Sequence, residues 1–235
     1  MYTHLAQLRQ RIPTILEGLT LDLGCGKGKL LEAIALAGGK VIGLEYNPIY
    51  IQLAQARLAA AGVTVEIVQG SAEAMPFAAD YFDTINMSEL IEHVSDPEKV
   101  LSEVGRVLKP GGQAYLSVPN RYGAYDPHFH LWGINWLPRS IIERVLTLVK
   151  RHKDYSPAAG HQRLTEMHYY RYQDIITVLQ RHGFVVTDIR LIKLGKIIKN
   201  PVAFQIATWL YRLARRYYFN TFHFLITKPA GSSRS

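Results

Sequence analysis

Two groups of residues in this chain have types and spacing that could do chemistry. The first is Leu21-Asp22-Leu23-Gly24-Cys25-Gly26-Lys27-Gly28, at the end of a short apolar run. Glycines at alternate positions let a backbone turn tightly and let a ligand approach where a Cβ would stand in the way. A helix beginning just beyond would also offer unpaired N–H groups to an anion. The spacing is neither the G-x-G-x-x-G of dinucleotide binders nor a P-loop. Asp22, just before the glycines, would repel a pyrophosphate but attract, directly or through water, the ammonium of an amino-acid-like ligand. Glu45 closes the run Val41-Ile42-Gly43-Leu44-Glu45 and is well placed to accept both hydroxyls of a ribose. A ligand with a ribose, an ammonium and no phosphate would suit both carboxylates.

The second group lies further on. Glu89, Glu92 and His93 form an E-x-x-E-H cluster just after Phe82 to Met87. If that stretch is helical, Glu89 and His93 share a face. Tyr122, Tyr125, Asp126, His128, His130, Trp132 and Trp136 follow within fifteen residues. Aromatic rings beside histidines and a carboxylate suit a pocket that stacks on a ring and takes a proton. His128 and His130 are the preferred bases, with His93 a third candidate. The plainer expectation is that Trp132, Trp136 and Leu137 pack this stretch onto the rest of the fold.

Alternating elements must position these groups. Strand-like runs at Leu19–Leu23, Val41–Leu44, Thr64–Val68, Phe82–Met87 and Ala114–Val118 alternate with helical patterns at Lys29–Ala37, Pro48–Ala61 and Pro97–Leu108. Asn47-Pro48 reads as a cap and first helical residue, and Lys109-Pro110-Gly111-Gly112 as a turn. This rhythm predicts an α/β fold with a parallel sheet, helices on both faces and ligands at the carboxyl ends of the strands. The rhythm breaks over 119–168, around an amphipathic run at Ser140–Lys150, where a lid is expected. A helix at Arg171–His182, a strand at Phe184–Ile192, a helix at Pro201–Tyr217 and a strand at Thr221–Thr227 follow. One domain is expected over 1–235: an N-terminal helix at 1–18, a cofactor-binding core at 19–118, the insertion, C-terminal elements at 169–228 and a frayed tail at 229–235.

Composition narrows the class. The 235 residues are 48% hydrophobic and 20% charged, enough for one sizeable core and too apolar for disorder. No run of about 18 uncharged apolar residues is present, which excludes a transmembrane helix, and Met1 to Gln10 holds no signal-peptide core. A single cysteine excludes a disulfide framework or a multi-cysteine zinc module. The expectation is a soluble cytoplasmic protein. Its net charge of +8 is uneven: residues 1–149 hold 12 Lys/Arg against 15 Asp/Glu, and residues 150–235 hold 15 against 4. The basic part is expected to face something anionic, with solubility alone as the competing explanation.

These motifs, with Gly70-Ser71-Ala72-Glu73-Ala74-Met75-Pro76-Phe77 and Leu108-Lys109-Pro110-Gly111-Gly112, resemble in order and spacing those of class I S-adenosylmethionine-dependent methyltransferases over about residues 19–118. The resemblance implies a Rossmann-like, doubly wound, mostly parallel seven-stranded sheet with an antiparallel last strand and a substrate-side insertion. It implies S-adenosylmethionine as cofactor, with Gly24, Cys25, Gly26 and Gly28 around its methionine part, Asp22 beside them and Glu45 on the ribose. Tyr46 would lie against the adenine face, Ser71 and Ala72 at its edge, and Met87 and Ser88 along the floor. Many relatives carry Asp where this chain has Ser71; Cys25 reads as a small packing residue. The E-x-x-E-H cluster is similar to the metal site of small-RNA 3′-end methyltransferases and, in part, of ubiquinone-pathway O-methyltransferases. By that likeness Glu89, Glu92, His93 and a downstream His168 (or His161) would hold a divalent ion; a metal-free site is the favoured alternative.

Methyl transfer to oxygen of a small-molecule, lipid or glycan acceptor is the leading expectation. An RNA ribose methyltransferase using the Glu89/Glu92/His93 cluster is the alternative, as is a non-catalytic partner protein of the same fold. The chain lacks the acidic-or-Asn, Pro-Pro-aromatic signature of base-amino enzymes, which lowers the nucleic-acid reading. Lys193, Lys196 and Lys199 precede an apolar, aromatic helix, the composition of an interfacial membrane helix. Peripheral contact with the inner membrane surface is therefore weighed against simple packing on the sheet.

Overall fold

Leu19–Leu23 (β1) sits mid-sheet because four of its five residues are buried and it has a parallel partner on each side. Those partners are Lys40–Glu45 (β2) and Phe82–Met87 (β4). The computed structural model describes residues 9, 12–148, 154–156, 160–161 and 163–231. Glu66–Gln69 (β3) extends the sheet beyond β2, and Leu108–Pro119 (β5) lies beside β4, both parallel. Thr221–Thr227 (β7) runs antiparallel between β5 and Val185–Asp188 (β6). The order is therefore β6-β7-β5-β4-β1-β2-β3: seven strands with one reversed, as expected. Strand order turns back between β1 and β4, and a doubly wound sheet binds ligands at the carboxyl ends beside such a point.

The helices follow from local chemistry. Lys29–Leu36 (α1) starts after Gly28, and Pro48–Ala60 (α2) after Asn47, whose side chain accepts from Ile49 N. Asp96 caps Pro97–Val107 (α3), which buries Val100, Leu101, Val104 and Val107 on one stripe. Tyr172–Arg181 (α5) buries Ile175 and Leu179 in the same core. The turn expected at Lys109–Gly112 is absorbed into β5, where the register against β4 shifts and Gly111 adopts φ 79.

One expectation fails here. The strand predicted to Ile192 stops at Asp188, and Ile189–Ile197 (α6) is helical, because Asp188 turns its carboxylate onto Arg190 N as a cap. The N-terminal helix predicted over 1–18 falls largely outside the described residues, and 13–16 form a turn.

The insertion has a small core of its own, Phe129, Ile142, Leu146, Leu164 and Met167, around the helix Arg139–Leu148 (α4). Trp132, Trp136 and Leu137 do not pack it onto the sheet: they are 75%, 56% and 49% exposed. The last helix, Pro201–Ala214 (α7), has Asn200 as its cap and no buried residue.

Asp188 ties these C-terminal elements together. Its Oδ2 accepts from Tyr172 of α5 at 3.0 Å and from Tyr211 of α7 at 2.6 Å. Burial, with the carboxylate's charge, holds both phenols protonated well above their usual range. Asp188→Ala strands two half-buried hydroxyls and uncaps α6, so a loss of about 3 kcal/mol is expected. For a domain of this size that is about 6–12 °C in thermal denaturation; an unchanged melting temperature would show the knot to be dispensable.

Candidate active site

Asp22, next to last in β1, and Glu45, last in β2, lie at the carboxyl ends of adjacent strands, and the glycine loop turns between them. Gly24, Gly26 and Gly28 all take left-handed φ values of 73, 52 and 72°, a region that penalises other residues. A Cβ at Gly24 would stand 2.8 Å from Leu90, and one at Gly28 2.9 Å from Ala54. A Cβ at Gly26 would meet nothing, so this is the loop's open side. Gly26 N donates to Glu45 Oε2 and Asn47 N to Oε1, both at 2.9 Å. Each oxygen keeps a further lone pair for a ligand hydroxyl.

Asp22 is buried and accepts from Asn86 Nδ2 at 2.8 Å. Burial pushes its carboxyl up to about 6 against the lowering effect of Asn86, and the neighbouring Glu45 adds to the rise. Among the described residues no lysine or arginine forms an ion pair with either carboxylate. A buried carboxylate held on a strand end without a cation suits a ligand that brings one. The ammonium and ribose of S-adenosylmethionine meet that test, and Asp22, Glu45 and the backbone around Gly26 would hold it.

The remaining cofactor candidates fall around this centre. Tyr46 follows Glu45 and is 75% exposed, its ring open to a partner. Ser71 Oγ accepts from Glu73 N at 3.1 Å and retains its proton to donate; Ala72 is half-buried beside it. Met87 is buried at the end of β4, and Ser88 donates to Asn86 Oδ1 at 2.8 Å. Ser88, Asn86 and Asp22 thus form one hydrogen-bonded line. Cys25 packs with its sulfur over Gly43, and burial, with the charges of Asp22 and Glu45, keeps it a thiol. A reactive role for it is not supported.

The acceptor-side candidates separate more sharply. Residues 89–93 are turns rather than helix; Glu89 has φ 51, is exposed, and uses its N–H on Ser117 Oγ. Glu89 and His93 therefore do not share a helical face. Glu92, His93 and His128 do meet, with one ligand atom from each within 4.8 Å of the others. His128 Nε2 is 3.5 Å and His93 Nε2 4.0 Å from Glu92 Oε1. His168 is half-buried and adds its backbone N–H to Glu92 O at 3.0 Å; it is not in the cluster. Of His161 only the backbone is described. His130 is exposed, with its Nδ1 2.8 Å from Tyr125 Oη.

Sequence reasoning missed Tyr169. Its hydroxyl donates to Asp126 Oδ2 at 2.9 Å and lies 3.3 Å from His128 Nδ1, while Asp126 Oδ1 accepts from His128 N. Tyr169, adjacent to His168, stands 41 residues from His128 with no periodic signal to link them, so nothing short of the fold would have found it. The cluster adjoins the glycine loop through Leu90, which packs on Gly24 and whose carbonyl accepts from His93 N. A carboxylate with two imidazoles can take a proton or, equally, hold a divalent ion of borderline hardness.

Residues 21–116 match the family model described as a methyltransferase domain. Its fold is shared with solved S-adenosylmethionine-dependent methyltransferases. The one from Mesorhizobium loti superposes with a TM-score of 0.60 at 18% identity, covering 94% of this chain and 96% of that one. The one from Methanosarcina mazei gives 0.59 at 19%, covering 98% and 99%. In sequence the chain is similar to ubiquinone biosynthesis O-methyltransferases. That of Pectobacterium atrosepticum is 36% identical over 118 residues, 50% of this chain and 49% of the relative. That of Pseudomonas putida is 42% identical over 102 residues, 43% and 44%. The chain spans about half the length of the curated relatives it matches.

Proposed function

We propose that this protein transfers a methyl group from S-adenosylmethionine to a hydroxyl of a small-molecule, lipid or glycan acceptor. The observation that carries the reading is the pair of strand-end carboxylates, Asp22 and Glu45, around an open glycine loop and without a lysine or arginine partner among the described residues. The similarity to O-methyltransferases supports oxygen as the acceptor atom. When bound, the cofactor supplies an electrophilic methyl group, so the chain's own task is alignment and proton removal. Asp22 would bind the ammonium and Glu45 the ribose hydroxyls. His128 would take the acceptor's proton at Nε2, the nitrogen facing Glu92, whose carboxylate stabilises the imidazolium. The insertion, which brings His128 and ends beside Tyr169, would shield the reacting atoms from water.

A second reading keeps the same residues and adds an ion. The close approach of Glu92, His93 and His128 favours it, and a bound divalent cation would acidify the acceptor hydroxyl. Calorimetry on chelator-treated protein, with and without magnesium or zinc, tests the core of the proposal. Binding of S-adenosylmethionine without metal is expected; no binding under any condition would overturn it. Transfer to hydroxyl acceptors after chelation then separates the two readings: undiminished activity in metal-free protein leaves His128 as the base, and loss restored by the ion assigns the cluster to it.

A further inference from the structure

We infer that the outward face of α7, with the aromatic edge of the insertion beside it, is a docking surface for an anionic lipid bilayer. α7 is apolar on both sides. Inward it presents Phe204, Ala207, Thr208 and Tyr211, half-buried, with Tyr211 anchored on Asp188. Outward it presents Val202, Ile206, Trp209, Leu210 and Leu213, which are between 53% and 63% exposed. Their spacing of three and four residues keeps them on one stripe. A helix apolar all round belongs in an interior, and a contiguous exposed patch of this kind marks an interaction site.

Charge indicates what covers it. From Ile189 to Asn220 the chain holds seven lysines and arginines and no aspartate or glutamate. Lys193 and Lys196 on α6, Lys199 on the turn into α7 and Arg212 within α7 are all exposed. Cations bordering an apolar stripe match the charged head groups and acyl region of an anionic leaflet. Trp209, Tyr217 and Tyr218, all exposed, are the residue types that settle at that interface. A second copy of the chain would set the same seven cations against each other. A nucleic acid would use the cations but leave the stripe uncovered.

The surface is joined to the site. Asn120, where the insertion begins, donates through Nδ2 to the carbonyls of Arg215, Arg216 and Phe219, and Ala124 N donates to Tyr217 O. The Tyr122 and Tyr217 rings lie 6.1 Å apart, and the exposed Trp136 donates Nε1 to Tyr122 O at 2.8 Å. The stripe therefore runs from α7 onto the insertion that carries His128. Only the purpose of this arrangement, presenting a membrane-borne acceptor to the insertion, rests on the methyl-transfer reading.

The test is flotation of the full chain with vesicles of phosphatidylcholine alone and of an equimolar mixture with phosphatidylglycerol. The protein should float with the mixture and not with the neutral lipid. Ile206→Gln, Trp209→Gln and Leu213→Gln combined should cut partitioning at least about tenfold, and each of Lys193→Gln, Lys196→Gln and Lys199→Gln about fivefold. Cofactor binding and thermal stability should be unchanged in all of them. Wild-type protein left unbound by both vesicles would overturn the inference. So would vesicle binding indifferent to the substitutions, or a dimer that the apolar substitutions dissociate. Vesicle binding in protein that binds no S-adenosylmethionine would overturn the methyl-transfer reading instead and leave this one standing.

Discussion

Asp22→Asn should stabilise the apoprotein and, in the same molecule, weaken S-adenosylmethionine binding about 30-fold or more. The two effects have one cause. Asp22 has its carboxyl raised to about 6 by burial, so its ionised form is disfavoured in the folded state. Its favourable contribution is complete below the ordinary value near 3.8 and is lost as pH rises through about 6. Near neutrality the buried charge therefore costs about 2–3 kcal/mol. Asparagine removes it and can still accept from Asn86, so a rise of about 5–10 °C in apoprotein melting is expected. The ligand's ammonium then loses its partner, and losing one member of a buried charged pair costs about 2 kcal/mol or more. In the wild type, affinity should rise about tenfold per pH unit below 6 and level off above 7. In Asp22→Asn that slope should vanish. An asparagine variant that binds as tightly as wild type, with the same pH dependence, would remove Asp22 from the cofactor site.

The second large effect is expected at His128. His128→Asn should lower kcat by about 10²–10⁴-fold, the range for loss of a general base. The dissociation constant for S-adenosylmethionine should not move, since the cluster meets the glycine loop only through Leu90. Tyr169→Phe removes the hydroxyl beside His128 Nδ1 and a donor to Asp126 but leaves the imidazole, so kcat should fall less, about tenfold. His130→Asn should leave kcat within about twofold, because that ring is on the outside, paired with Tyr125. Equal losses from His128→Asn and His130→Asn, or a His128→Asn fall confined to melting temperature, would move proton removal elsewhere.

Much of the fold was legible because its signals are local. Strands buried on both faces read as near-continuous apolar runs, as in Val41–Leu44, and helices announce themselves through caps such as Asn47 and Asp96. Glu45 could be placed because it closes such a run, and Asp22 because it lies one residue short of the glycine loop. What stayed hidden depends on distance. The Asp22–Asn86 bond joins residues 64 apart, and the approach of His128 to Glu92 spans the start of the insertion. Glu89 misled for the opposite reason: its spacing to His93 suits a helix, but the chain leaves β4 through a turn with Glu89 in left-handed conformation. The Val-Ile-Leu richness of 185–194 likewise suggested a longer strand, and one carboxylate, Asp188, converts its second half to helix.

The position of β7 has a consequence for synthesis. It follows the other six strands of the sheet along the chain yet lies inside the sheet, with seven residue pairs to β5 and four to β6. As the polypeptide leaves the ribosome, β1 to β5 can assemble in order while β5 keeps a bare edge and β6 has no neighbour. Only when Thr221–Thr227 emerges are both covered. For that interval the nascent chain presents an unpaired strand rich in buried-type residues, Ala114 to Val118, to any other strand it meets. Chaperone dependence and inclusion-body formation should thus track how quickly residues 189–227 are translated, more than the strength of the cofactor-binding half.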